Sequence, residues 1–195
     1  MLIPGHIDIW RIHLDRATVP PPTPGERARA AKFRAPEHAE RYLKSHAAMR
    51  DILARYTTAP LEFALHEHGK PYLPLSPDLH FNLSHSHEMA LLAVADHEVG
   101  VDIEKLRPMP RFAQVAERFF PSSEEMPADE VDFFFRWTRI EARVKARGTG
   151  LFGSSSQPEQ PLTIMEVQVP EGFAAAVAAE KTEFAIRLLD YGATS

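Results

Sequence analysis

The segment VGVDIEKL, residues 99–106, constrains the fold most, because it alternates with a period of two. Val99, Val101 and Ile103 fall on one face of a strand, and Gly100, Asp102 and Glu104 on the other. At about 3.3 Å per residue the two carboxylates stand roughly 6.6 Å apart along that face. Polar groups in a strand centre cost free energy unless they face water or a partner. Two like charges at this range repel and call for a cation between them. Oxygen ligands suit a divalent ion such as Mg²⁺, completed by water or phosphate oxygens. A half-buried strand with a solvated acidic face would produce the same pattern.

The surroundings continue the strand reading. Strands are expected near 6–14, 79–83, 88–95 and 99–104, with a short one at 61–65. The connector ATVPPPTPGE (17–26) and the loop HGKPYLPLSPD (68–78) are too rich in Pro and Gly for a helix interior. Helices are expected at 26–34, 36–56, 109–120 and 128–147, the last stopped by Gly148 and Gly150. GSSSQPEQP (153–161) reads as a loop. Strand-like runs at 162–169, 172–179 and 183–190 close the chain. Each half thus offers a helix and about three strands. The expected fold is α+β, in two related subdomains divided as 1–98 and 99–195.

On the helix at 128–147, Phe133, Trp137, Ile140 and Val144 form an apolar stripe. Glu141 and Lys145, four apart, share a neighbouring face. If the stripe packs on the acidic strand, Glu141 becomes a third carboxylate and Lys145 an ammonium for an anion. By itself the pair is an ordinary helix pair. His66/His68 and His85/His87 have an H-x-H spacing open to a transition metal, although most such pairs are surface or capping residues.

The chain has 195 residues, no cysteine and a net charge of −5. Absence of thiols agrees with a reducing, cytoplasmic setting. The first ten residues lack a basic region followed by an apolar core, so no signal peptide is expected. No apolar run is long enough to span a bilayer. Arginine and lysine cluster at 27–55 and 136–147, small patches that suit a small anionic ligand better than a nucleic-acid track.

Taken together, GKPYL (69–73), FNLSHS (81–86), VGVDIEKLRP (99–108), RFF (118–120), SSEE (122–125) and WTRIEARVKARGTGL (137–151) resemble the 4′-phosphopantetheinyl transferases of the Sfp type. The order and spacing of the family's motifs hold across about 69–151. The resemblance implies transfer of phosphopantetheine from coenzyme A to a serine of an acyl or peptidyl carrier protein, with Mg²⁺ as cofactor. It also implies that the two subdomains are similar and related by a pseudo-twofold axis. It implies that Asp102, Glu104 and Glu141 hold the metal and that Lys145 contacts the transferring phosphate. Ser84 and His85 would bind the phosphate region of coenzyme A, Lys70 and Pro71 its adenine side, and Arg41 its 3′-phosphate. The expected protein is a monomer that binds neither nucleic acid nor membrane. One position departs from the pattern: the family's lysine before the helix glutamate is Ile140 here. A non-catalytic binder of coenzyme A or carrier protein, and a metal-dependent phosphoesterase, are the alternative activities.

Overall fold

The computed structural model describes residues 2–120, 125–149, 161–180 and 183–192. Two sheets stacked between two long helices make up the molecule. The first sheet has strand order β4-β5-β1-β9, with β1 (His6–His13), β4 (His80–Ser86), β5 (Met89–Ala95) and β9 (Ala185–Asp190). The second is β6-β8-β7, from β6 (Val99–Lys105), β7 (Thr163–Glu166) and β8 (Phe173–Ala179). A two-stranded hairpin of β2 (Ala64–Leu65) and β3 (Pro71–Tyr72) projects from the loop region. The helices are α1 (Pro24–Ala30), α2 (Pro36–Leu53), α3 (Phe112–Phe119) and α4 (Glu130–Arg147). Among the described residues no helix is long and apolar enough to cross a membrane.

The layering follows from the strand patterns. MALLAVA in β5 is buried on both faces. Its Leu91 and Ala93 join Ile7 and Ile9 against Val99, Val101, Ile103 and Val177 of the second sheet. Its Ala90, Leu92 and Val94 face the other way, against Ala48, Met49, Ile52 and Leu53 of α2. In β8, Ala174, Ala176 and Ala178 alternate toward α4, where Ala142 and Ala146 meet the last two of them. Small side chains on both partners let this helix sit low on its sheet. At Gly100 the approach is closest: a Cβ there would lie 2.2 Å from the Ala142 carbonyl oxygen and 2.2 Å from the Ala146 nitrogen. Only glycine fits beneath α4 at that point.

Three elements differ from the sequence expectation. The proline-rich connector passes directly into α1, because Thr23 and Glu26 form a reciprocal capping box and Pro24 occupies the first turn. The loop at 68–78 contains β3, paired as Ala64↔Tyr72 and Leu65↔Pro71. The last strand, β9, does not extend the second sheet but runs parallel to β1 in the first. There Arg187 donates to Asp8, which is fully buried and also accepts from the Tyr56 hydroxyl at 2.7 Å. Gly148 ends α4 in the left-handed region at φ 64°, as expected, while Gly150 and the loop residues 153–160 lie outside the described residues.

Candidate active site

β4 and β6 are edge strands of different sheets, and the site is built where they meet. Side chains replace the missing backbone ladder. Asn82 accepts from the Val101 N–H at 2.9 Å, Ser84 donates to Asp102 Oδ1 at 2.8 Å, and Ser86 donates to Glu104 Oε2 at 3.0 Å. Ser86 Oγ also accepts from the Lys105 N–H at 3.1 Å. These three residues alternate along β4, so one polar face of the FNLSHS segment orients the polar face of VGVDIEKL. Arg107 completes the hold on Glu104, donating from Nη1 to Oε2 at 3.0 Å.

From the other side α4 brings Glu141 and Lys145. Lys145 Nζ donates to Asp102 Oδ1 at 2.6 Å and to Ser84 Oγ at 3.0 Å. Asp102 is only 4 % exposed, and its Oδ2 is buried without a hydrogen-bond partner among the described residues. Burial raises the Asp102 pKa, against the pull of Lys145 and Ser84, and Glu104 adds to the rise. Glu141 is half-buried, and its pKa is raised first by burial and then by Asp102 and Glu104, while Lys145 opposes. Three carboxylates that feel one another and one unpaired buried oxygen leave the cluster short of positive charge. Such a donor set fits a hard divalent cation. Among the described residues no three carboxylate or histidine side chains converge closely enough to cage a metal alone. The fit is therefore that of an ion shared with ligand oxygens.

The remaining expected residues surround this cluster. A groove of ≈ 360 Å³ beside it is lined by His68, Gly69, Lys70, Pro71, Asn82, Glu141, Val144, Lys145 and Gly148. Pro71 and the Lys70 stem are thus on its wall. The Lys70 ammonium is turned inward, donating to Glu98 Oε2, the Val99 carbonyl and the Ala146 carbonyl. His85 is exposed. Its pKa is lowered by desolvation of the ring and then by the positive fields of His46, Lys145, Arg41 and His38. His38, Arg41 and His46 of α2, with Lys145 of α4, form a basic rim beside His85. Arg41, on α2, turns its charge toward this rim, where it acts on both His85 and His87. Ile140 is 8 % exposed and packs with Phe120, Phe133, Phe134 and Ala174, on the stripe expected from the sequence. Ser122, Ser123 and Glu124 of the SSEE segment, and Leu151, lie outside the described residues.

Residues 98–187, which carry β6, α4 and the second sheet, match the model of the 4′-phosphopantetheinyl transferase superfamily. The chain is 34 % identical over 173 residues to the 4′-phosphopantetheinyl transferase HetI of a Nostoc species, covering 77 % of this chain and 72 % of HetI. The chain belongs to the 4′-phosphopantetheinyl transferase family. The transferase ffp of Bacillus subtilis is 30 % identical over 186 residues, covering 82 % of both chains. A further B. subtilis 4′-phosphopantetheinyl transferase is 34 % identical over 136 residues, 65 % of this chain and 60 % of that relative. The Sfp protein of B. subtilis is 31 % identical, covering 66 % of this chain and 61 % of its own length. The chain therefore spans about 60 % of the length of these two relatives.

Asn82, Ser86 and Arg107, whose hydrogen bonds hold β6 and Glu104 in place, are residues that the sequence reading did not single out. The alternation N-x-S-x-S at 82, 84 and 86 was the available signal, since it puts three short hydrogen-bonding side chains on one strand face.

Proposed function

We propose that this protein transfers the 4′-phosphopantetheine group from coenzyme A to a serine of an acyl or peptidyl carrier protein, releasing adenosine 3′,5′-bisphosphate. The observation that carries the reading is the carboxylate cluster of Asp102, Glu104 and Glu141 with Lys145 across it, in a chain of this family. Asp102 Oδ2, buried and unpaired, would hold Mg²⁺ together with Glu104 and Glu141. When bound, the ion supplies positive charge to the diphosphate and to the leaving bisphosphate.

The chain's own residues account for the rest. Transfer of this kind needs charge neutralisation and in-line positioning more than covalent help. Lys145 is held beside Asp102 and presents its ammonium to the phosphorus under attack. The carrier serine oxygen forms the new P–O bond while the bond to the bridging diphosphate oxygen breaks. Glu141, whose pKa is raised by burial and by its acidic neighbours, accepts the serine proton. Ser84 keeps Asp102 and Lys145 in register. His85 and Arg41 on the basic rim receive the phosphates of coenzyme A, with Arg41 at the 3′-phosphate. Pro71 and the Lys70 stem line the adenine side of the groove.

The division into subdomains at 98/99 belongs to the same reading. It is supported by α2 lying on β1, β4 and β5 and by α4 lying on β6, β7 and β8, an arrangement suited to a pseudo-twofold axis, with β9 crossing from the second half to complete the first sheet. The protein acts as a cytoplasmic monomer in this reading, with no nucleic acid or membrane among its partners. The test is incubation with coenzyme A, Mg²⁺ and a panel of apo carrier proteins, followed by intact mass measurement of each carrier. A phosphopantetheine increment on one carrier is expected. Hydrolysis of coenzyme A without carrier would instead mark a phosphoesterase, and binding with neither reaction a non-catalytic binder.

A further inference from the structure

We infer that Lys70 is a positioning residue. Its ammonium ties the GKP loop, the start of β6 and the last turn of α4 into one unit that holds Glu141 and Lys145 at Asp102. This inference rests on the transferase reading and assigns the Lys70 ammonium to the transfer step, leaving to the adenine side of the groove only the stem, most of which methionine keeps.

An ammonium has three donors and no acceptor. All three are used here: Glu98 Oε2 at 2.5 Å, the Val99 carbonyl at 3.1 Å and the Ala146 carbonyl at 3.0 Å. The side chain is 9 % exposed. No N–H remains for a phosphate oxygen or an adenine nitrogen unless a buried bond breaks. The acceptors also belong together by charge. Glu98 neutralises the ammonium, and its second oxygen pairs with His80 Nδ1 at 3.2 Å. The Ala146 carbonyl is one of the last four of α4, which have no partner within the helix and gather at its negative end. The Lys70 stem lies under the helix exit, where a Cβ at Gly148 would stand 3.4 Å from Lys70 Cδ.

Ala146 follows Lys145 directly. Fixing its carbonyl fixes the backbone from which Lys145 reaches Asp102 at 2.6 Å and Glu141 faces the same cluster one turn earlier. The clamp therefore spans sequence separations of 28 and 76 residues to set two side chains it does not touch. A misplacement of about 1 Å at such groups is enough to slow a transfer by orders of magnitude while leaving ligand contacts elsewhere in place.

The experiment compares the full chain with Lys70→Met, Glu98→Gln and the double variant. It measures coenzyme A affinity by calorimetry, kcat on one apo carrier, and amide hydrogen exchange of residues 143–148 in the ligand-free protein. Lys70→Met should exchange about tenfold faster or more at the end of α4 and lose about tenfold or more in kcat, with affinity changed by less than about threefold. Glu98→Gln should move all three readouts the same way, and the double variant should be no worse than Lys70→Met, because both break one network. If Lys70→Met weakens coenzyme A tenfold with kcat and exchange unchanged, Lys70 is a ligand contact and the inference is wrong. Tighter coenzyme A binding by Glu98→Gln, which frees the ammonium, overturns it as well. Should Lys70→Met not fold, Glu98→Gln decides by the same outcomes. If the wild-type protein modifies no carrier, the transferase reading fails, while hydrogen exchange still shows whether the clamp holds α4.

Discussion

Gly100→Ala should damage both stability and chemistry, because β6 and α4 touch backbone to backbone at this residue. The added Cβ would lie 2.2 Å from the Ala142 oxygen and 2.2 Å from the Ala146 nitrogen. Ordinary carbon contacts need about 3.5 Å, so α4 has to lift by about 1 Å. Neither neighbouring atom is the end of a flexible side chain, so local relaxation cannot absorb the shift. Overpacking of this kind costs about 1–3 kcal/mol, offset by at most about 1 kcal/mol from the stiffer unfolded chain. A domain of this size loses about 2–4 °C in Tm per kcal/mol, so a fall of several degrees is expected. The same lift stretches the Lys145–Asp102 contact from 2.6 Å to about 3.6 Å, beyond hydrogen-bond range. Transfer should then fall by about a hundredfold. Calorimetric melts and steady-state transfer rates measure the two effects. Gly25→Ala is the control: nothing lies within 4 Å of its Cβ position, so Tm should hold or rise slightly. If Gly100→Ala melts within about 2 °C of wild type, equivalent to about 0.5–1 kcal/mol, and keeps full activity, the close seating of α4 on β6 is refuted.

Lys145→Met leaves Asp102 buried beside Ser84 without its counter-charge, and should cost about 3–5 kcal/mol of stability or force Asp102 to protonate; urea titration at pH 7 reads the loss. Ile140→Lys introduces an ammonium beside Phe120, Phe133 and Phe134. Its stem can follow the apolar surface, so Tm should fall moderately while kcat or coenzyme A affinity improves by up to about tenfold; steady-state kinetics that show no gain would mean the missing cation is already replaced. In acid, Glu98 supplies a defined signature. Burial pushes its carboxyl up, but the His80 hydrogen bond and the Lys70 charge bring it down to about 2. A depressed carboxylate stabilises the fold above its unfolded pKa and loses that contribution as pH falls from 4.5 toward 2. The Tm gap between wild type and Glu98→Gln should therefore be widest near pH 6 and shrink by pH 3, and a gap independent of pH would contradict the pairing.

Much of the candidate cluster was legible because its signals are local. Asp102 and Glu104 announced themselves by alternation with Val101 and Ile103, and Glu141 and Lys145 by helical spacing beside an apolar stripe. Both patterns survive folding because each is set by the period of its own element. The unreadable parts depend on distant partners. Nothing near Lys70 in sequence shows that its ammonium will find Ala146, 76 residues on. Nothing near β9 shows that it will cross to β1, where Arg187 meets Asp8 over a separation of 179 residues. The α1 start was hidden differently: a run of prolines masked the Thr23–Glu26 capping box, although both of its residues were in view.

The most direct test of the carboxylate cluster is the affinity of coenzyme A measured calorimetrically with and without Mg²⁺, in the wild-type protein and in Asp102→Asn. Asp102 Oδ2 is buried without a hydrogen-bond partner among the described residues, so this substitution removes the charge there at nearly constant shape. Wild type should bind coenzyme A at least about tenfold more tightly with Mg²⁺, as one added charge-assisted contact would give, and Asp102→Asn should lose most of that gain. Equal affinity with and without the ion in wild type, or an undiminished Mg²⁺ effect in Asp102→Asn, would show that these carboxylates do not share a metal with the diphosphate.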